Sequence, residues 1–298
     1  MNRRFPNRAK LSARWRAASG NRWQWLWALL FLAAHLPLSL LVYRSPALGV
    51  LHALVVLAFA LRAAVGPPER LPQVVWAAAY IVGAEVLWRM SQTPIFWESG
   101  KYAISLVFLV AIVRHGFWRV PPGVLLYFVV LLPSCLLAIT GNDWAEARNN
   151  LSFNMSGPFA LLMCAWFLSQ VRLTASEFGR TLLSLLAPLL GVAVVTLFGT
   201  VTTEDLVFTR GSNFATSGGF GPNQVSSVLG LGGLLIVLCL LAGKANKWLK
   251  ASLFALLLLF IVQSAMTFSR GGLYNAGGAL LAASVYLLRD SRTRRLLL

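Results

Sequence analysis

The sequence predicts an all-α, polytopic integral membrane protein with about ten transmembrane helices. Three observations predict it. Apolar residues fill 58% of the 298 positions, and the mean hydropathy is +0.71, outside the range of a soluble domain of this length. Several stretches of 18 or more residues carry at most one or two ionisable groups, and a helix needs about 20 apolar residues to cross the hydrocarbon core. The basic residues fall almost entirely between alternate apolar runs, which is how topology is written in membrane chains. A barrel would instead show short alternating segments.

The apolar runs are 23–43, 46–65, 72–90, 101–117, 121–140, 157–172, 180–200, 224–242, 248–268 and 271–289. The runs at 101–117 and 157–172 are the least regular, being short or charged at one end. The sequence thus divides into a basic tail (1–22), a single helical membrane domain (23–289) and a second basic tail (290–298). The first tail carries Arg3, Arg4, Arg8, Lys10, Arg14, Arg16 and Arg22. The run after it is long enough to span and has no small-residue cleavage site, so it reads as a signal anchor. No repeat period is visible.

A net charge of +17 and a pI near 11.2 invite a nucleic-acid reading, and the topology removes it. With the N-terminus cytoplasmic, six of the 26 Lys and Arg are external: Arg44, Arg89, Lys101, Arg148, Arg210 and Arg270. Six of the nine acids join them: Glu85, Glu98, Asp143, Glu146, Glu204 and Asp205. The external charge cancels and the whole excess is cytoplasmic, a positive-inside signal and no nucleic-acid footprint. Cys135, Cys164 and Cys239 lie inside apolar runs with no CxxC pair. His35, His52 and His115 are scattered, so no metal-ligand spacing exists.

Chemistry therefore belongs to four external polar segments: 89–101, 141–158, 199–224 and 268–272. The stretch SNFATSGGFGPNQ (212–224) stands before an apolar run. Gly218, Gly219 and Gly221 allow a tight bend, whose amides can converge on an anion. Pro222 suits a first helical turn, so a helix begins near Gly221–Asn223, with amides and dipole favouring an anion. Arg210 adds a full charge before the loop. The alternative reading is a flexible turn with a stray Arg. TFSRGGLYNAGGALLAA (267–283) repeats the design: Ser269 and Arg270 precede Gly271, Gly272, Gly277 and Gly278. The small residues imply close helix packing, and a cation at a helix N-terminus is most easily understood with an anion beside it. The alternative is an Arg snorkelling to lipid phosphate. SFNMSGPFALL (152–162) reads as a third helix start, capped by Ser156 or Gly157 with Pro158 in its first turn. Glu85 and Arg89, four apart on one face, read as an intrahelical ion pair and, at membrane depth, as a functional hint. Glu98, Asp143, Glu204 and Asp205 read as solvated loop charges.

RGSNFATSGGFGPNQVSSVLGLG (210–232) and FSRGGLYNAGGALL (268–281) resemble motifs of the O-antigen ligase and O-antigen polymerase superfamily. EVLWRMSQTPIFWESGKY (85–102) and NNLSFNMSGPFALL (149–162) look like accompanying elements, so the resemblance covers roughly 85–290. It implies a membrane glycosyltransferase-like architecture in the bacterial inner membrane. Arg210 and Arg270 would act on the pyrophosphate of an undecaprenyl-linked glycan donor, which passes to the hydroxyl of a glycan, lipid or protein acceptor. Gly218, Gly219, Gly221, Asn223, Ser269, Arg148, Arg89 and Glu85 would line the substrate site, with surrounding membrane lipids, no metal and no other cofactor. A polymerase is the alternative within the family, and a non-catalytic transporter of lipid-linked glycan the alternative outside it. Family members carry a long external loop with a histidine downstream of the second arginine. The sequence ends at RDSRTRRLLL (289–298) before such a loop, so the expectation is either a form lacking the C-terminal part or another group serving as base, with Glu204, Asp205, Glu98 and Asp143 the available external carboxylates.

Overall fold

A computed structural model describes residues 22–140, 143–204, 211–242 and 247–287. All regular structure among them is helical: α1 (Arg22–Arg44), α2 (Pro46–Ala64), α3 (Leu71–Met90), α4 (Ser99–His115), α5 (Pro122–Ile139), α6 (Trp144–Gln170), α7 (Ala175–Thr202), α8 (Pro222–Ala242), α9 (Lys247–Met266) and α10 (Gly271–Leu287). Two 3₁₀ turns, Pro68–Arg70 and Ala215–Ser217, precede α3 and α8. Eight of these helices are long and apolar enough to cross a membrane. The other two, α4 and α10, have 17 residues each, about 26 Å at 1.5 Å per residue, a little under the bilayer core. Large apolar side chains stand exposed along most helices; α5 has no buried residue at all. Such a surface needs lipid around it, and the protein is a multi-pass membrane protein.

Two helix starts lie upstream of their apolar runs. α6 begins at Trp144, and Pro158, expected in a first turn, lies inside it. The cap is Asp143, whose side chain accepts the Glu146 amide at 2.8 Å, so neither Ser156 nor Gly157 caps a helix. α7 begins at Ala175, where Thr174 and Glu177 form a reciprocal capping box: the Thr174 amide donates to Glu177 Oε2 (2.6 Å), and the Glu177 amide to Thr174 Oγ1 (3.3 Å).

The chain forms two compact units. The first takes 55–82 and 96–184, the second 34–54, 83–95 and the chain from Leu185 onward, with the N-terminal part of α1 in the first. Within the first unit α4 and α6 run parallel, locked by stacked Phe108 and Phe167 rings (4.7 Å between centroids) and by the Trp166 indole N–H on the Phe117 carbonyl (2.8 Å). Within the second, α8 packs on both α9 and α10. Glycines permit it: a Cβ on Gly232 would enter the Phe260 ring, and one on Gly230 would strike the Gly272 backbone.

Candidate functional site

The second unit gathers most of the residues singled out from the sequence. Its centre is the point where α8 crosses α10. A Cβ on Gly272 would collide with the Ser226 backbone, so the helices approach to backbone contact. The Gly272 amide donates to Ser226 Oγ (3.1 Å), and Ser226 Oγ donates to the Ser269 carbonyl (2.9 Å). The Ser264 hydroxyl of α9 lies 3.0 Å from that of Ser226. Ser226 and Ser264 are fully buried. Inside a membrane such groups must find partners within the protein, and here they hold the N-terminal ends of α8 and α10 together.

One step outward, Ser269 Oγ donates to Asn223 Oδ1 at 2.8 Å. Gln224, the next residue, accepts from Arg89 Nη1 at 3.0 Å, and Arg89 also pairs with Glu85 across one helical turn. Arg270 adjoins Ser269; it is exposed, and its carbonyl accepts the Tyr274 amide (3.0 Å) at the start of α10. The structure thus links Glu85, Arg89 and Gln224 in one chain of contacts and Asn223 with Ser269 in another, joined through the neighbouring residues 223 and 224, while Arg270 follows Ser269 in the chain with its side chain exposed. The Glu85–Arg89 pair is the one read from spacing. Gln224 was missed, because nothing local marks a glutamine as the partner of an arginine 135 residues away.

The glycine turn docks on the stretch that leads into Ser269. The 3₁₀ turn Ala215–Ser217 ends on Gly218 in the left-handed conformation (φ 63°), followed by Gly219 (φ 77°). Gly218 has no room for a side chain: a Cβ would meet Met90 and Val195. The Asn213 amide donates to the Thr267 carbonyl (2.8 Å), and Thr216 Oγ1 to the Met266 carbonyl (2.5 Å), fastening the turn to the α9–α10 connection. The amides of Gly218 and Gly219 are engaged by the Ala215 and Phe214 carbonyls (3.2 and 2.9 Å). An anion nest built from them is therefore closed, and the glycines shape the turn instead. The free donors expected of a helix N-terminus remain at Gly221 and Asn223.

Phe268, in the α9–α10 connection, has φ 54°. A phenylalanine in this region costs about 1–2 kcal/mol. Outliers of this kind cluster at functional sites, and this one is two residues from Arg270, holding the turn that presents it.

Arg210 and Asp205 lie outside the described residues. Arg148 belongs to the first unit, exposed on α6, where it lines a cavity. Of the acids read as loop charges, Glu204 is exposed and Asp143 is the α6 cap. Glu98 departs from that reading: it is 4% exposed, among the most buried polar side chains of its unit. Comparison of the chain with protein-family models, with curated proteins and with solved structures found no match.

Proposed function

We propose that this protein transfers a polyprenyl-pyrophosphate-linked glycan to an acceptor hydroxyl at the external face of the inner membrane, as an O-antigen ligase-like enzyme. The observation that supports it is the exposed Arg270 at the start of α10, buttressed by Ser269–Asn223 and a strained Phe268. A guanidinium at a helix N-terminus is electrostatically misplaced unless an anion lies against both, and the free first-turn amides of α8 offer that anion further donors.

In the reaction the acceptor oxygen attacks the anomeric carbon. The bond from that carbon to the pyrophosphate oxygen breaks with its electron pair, the acceptor proton passes to a base, and polyprenyl pyrophosphate departs. Arg270, with Arg210 from the preceding motif, stabilises the charge growing on the leaving group. The Ser269–Asn223 hydrogen bond fixes the backbone from which Arg270 projects, and the Asn213 and Thr216 bonds to Thr267 and Met266 fasten the glycine turn to the same connection.

The test is binding of undecaprenyl pyrophosphate to the purified protein in nanodiscs. Loss of a charge-assisted hydrogen bond is worth roughly 1.5–3 kcal/mol, so Arg270→Ala and Arg210→Ala each weaken binding about tenfold to a hundredfold. Arg270→Lys recovers part, keeping charge but losing the planar fork. Arg44→Ala, which removes only a cation–π contact with Phe198, leaves affinity unchanged. Equal losses at Arg44 and Arg270 would mean general attraction to acidic lipid, and the proposal would fail.

A further inference from the structure

The first unit carries a small cavity of about 200 Å³ at the connection between α2 and α3. Phe59, Arg62 and Ala63 line it from the end of α2, Arg70 from the end of the 3₁₀ turn, and Gln73 from the first turn of α3. Two guanidiniums thus share one small space, where like charges repel. Nothing within the fold offsets this: among the described residues no ion pair or side-chain hydrogen bond reaches Arg62, Arg70 or Gln73. Glu69, next to Arg70 in the chain, is exposed and lines none of the cavity. The backbone makes room for the arrangement all the same. A Cβ on Gly66 would stand 2.7 Å from Arg70 Cδ, so the bare glycine lets the Arg70 stem lie back over the turn. A third arginine at this connection is used differently: Arg114 of α4 donates from Nε to the Val65 carbonyl (3.3 Å).

Charge, donors and position together describe a fitting ligand. Two planar guanidinium forks and a carboxamide N–H are donors suited to phosphate oxygens. The volume lies below that of small-molecule sites, about 300–1,000 Å³, so the cavity suits a phosphate with a few attached atoms and is too small for a nucleotide or a sugar chain. Val55, Phe59 and Arg62 follow one another at four- and three-residue spacing and so share one face of α2. Val55 and Phe59 are 58% and 49% exposed, on a helix long and apolar enough to cross a membrane. That face runs from apolar side chains to a cation at the helix end, the depth at which lipid headgroups lie. A free phosphate ion would use the cations and ignore the apolar face; a phospholipid uses both. Basic pockets at the ends of membrane helices are the chemistry that holds anionic headgroups.

We propose that the α2–α3 connection binds an anionic phospholipid. Arg62 and Arg70 clamp its phosphate, Gln73 donates to a headgroup oxygen, and one acyl chain lies along Phe59 and Val55. The site is independent of the proposed transfer reaction.

The test is native mass spectrometry of the full chain in detergent, titrated with dioleoylphosphatidylglycerol and read as the apparent Kd of the first bound lipid. Binding is expected to be tighter than that of dioleoylphosphatidylcholine, which balances the same phosphate with a cation of its own. Arg62→Gln and Arg70→Gln are each expected to weaken phosphatidylglycerol binding about tenfold, by loss of a charge-assisted hydrogen bond, and to leave phosphatidylcholine binding unchanged. Arg119→Gln removes the same charge from the α4–α5 connection, which the Arg114–Val65 bond places at the same end of this unit. Arg119 is exposed and lines none of the cavity, so the Kd is expected to stay within about twofold of the parent. Equal losses at Arg119 and Arg70 would mean diffuse attraction to a basic surface and overturn the proposal. A Kd indifferent to both cavity substitutions overturns it too, since the lipid then sits elsewhere. Displacement of the lipid by glycerol 3-phosphate would make the occupant a soluble phosphate, and equally tight binding of dioleoylglycerol would make it an acyl chain alone; either result defeats the proposal.

Discussion

The two units place their polar residues in opposite physical situations. At the α8–α10 crossing, small side chains bring two helices to backbone contact, and each buried hydroxyl is spent on a neighbouring helix. Nothing there is left over for a ligand except what projects beyond the crossing, chiefly Arg270. In the α4–α6 region stacked rings lock the helices together, a cavity lies between their N-terminal ends and α5, and a buried carboxylate oxygen is left without a partner among the described residues. The same ingredients, serines and charges at helix starts, act in one place as cement and in the other as lining. Whether a polar residue is structural or available depends on whether its hydrogen-bonding capacity is exhausted within the fold. Substitutions at the crossing should therefore act on stability.

The largest effect is expected at Gly272. Any Cβ there lands on the Ser226 main chain, which cannot rotate away as a side chain would. Overpacking usually costs about 1–3 kcal/mol, and Gly272→Val adds a branched side chain against rigid backbone, placing it at or above the top of that range. The expected outcome is loss of the monodisperse peak in size-exclusion chromatography of detergent-solubilised protein. A Gly272→Val variant that elutes and melts like the parent would show that the crossing is not tight, and the contrast between the units would collapse.

Much of the fold was legible in the sequence because lipid imposes a simple rule: long apolar runs become helices. Each run corresponds to a helix. The misjudged boundaries were those where a helix continues past its apolar run into polar residues, as α6 does through Trp144–Ser156 under the Asp143 cap. The D-x-x-E spacing of Asp143 and Glu146, and the T-x-x-E spacing of Thr174 and Glu177, were the signals that could have placed those starts. At the site, the Glu85–Arg89 pair was readable because it is local. Burial of Ser226 and Ser264 was not, since it depends on which helix lies alongside. Glu98 was hidden most completely. Between Trp97 and Ser99 it looks like a loop charge; Lys101 is a local partner three residues on, but only the packing of α4 beside α6 brings Ser156 against it.

A moderate effect is expected at Ser226. Ser226→Ala fits the space but leaves the Gly272 amide without its side-chain acceptor and the Ser264 hydroxyl without its neighbour. Interhelical hydrogen bonds in membranes average about 0.6 kcal/mol and reach about 1.7 kcal/mol. The variant should therefore fold, with a lowered thermal midpoint, and undecaprenyl pyrophosphate binding should fall only slightly. A large loss of binding with an unchanged midpoint would mean that Ser226 faces the ligand and that the crossing is itself the site.

The smallest effect is expected one turn further along α10, and it sharpens the comparison most finely. Gly277 and Gly278 belong to the same run of small residues as Gly272, and the sequence alone treats all three as packing positions. In the structure a Cβ at Gly277 or Gly278 meets nothing within 4 Å, and neither has the positive φ that would demand glycine. Alanine lowers the backbone entropy lost on helix formation, by up to about 1 kcal/mol in water, with less to gain where lipid already enforces helicity. Gly278→Ala should leave the elution profile intact and the thermal midpoint equal or slightly raised, while the same substitution at Gly272 lowers it. If Gly278→Ala destabilises as much as Gly272→Ala, that face of α10 is covered by a second copy or another chain, and the close approach at Ser226 would be one contact of a longer interface.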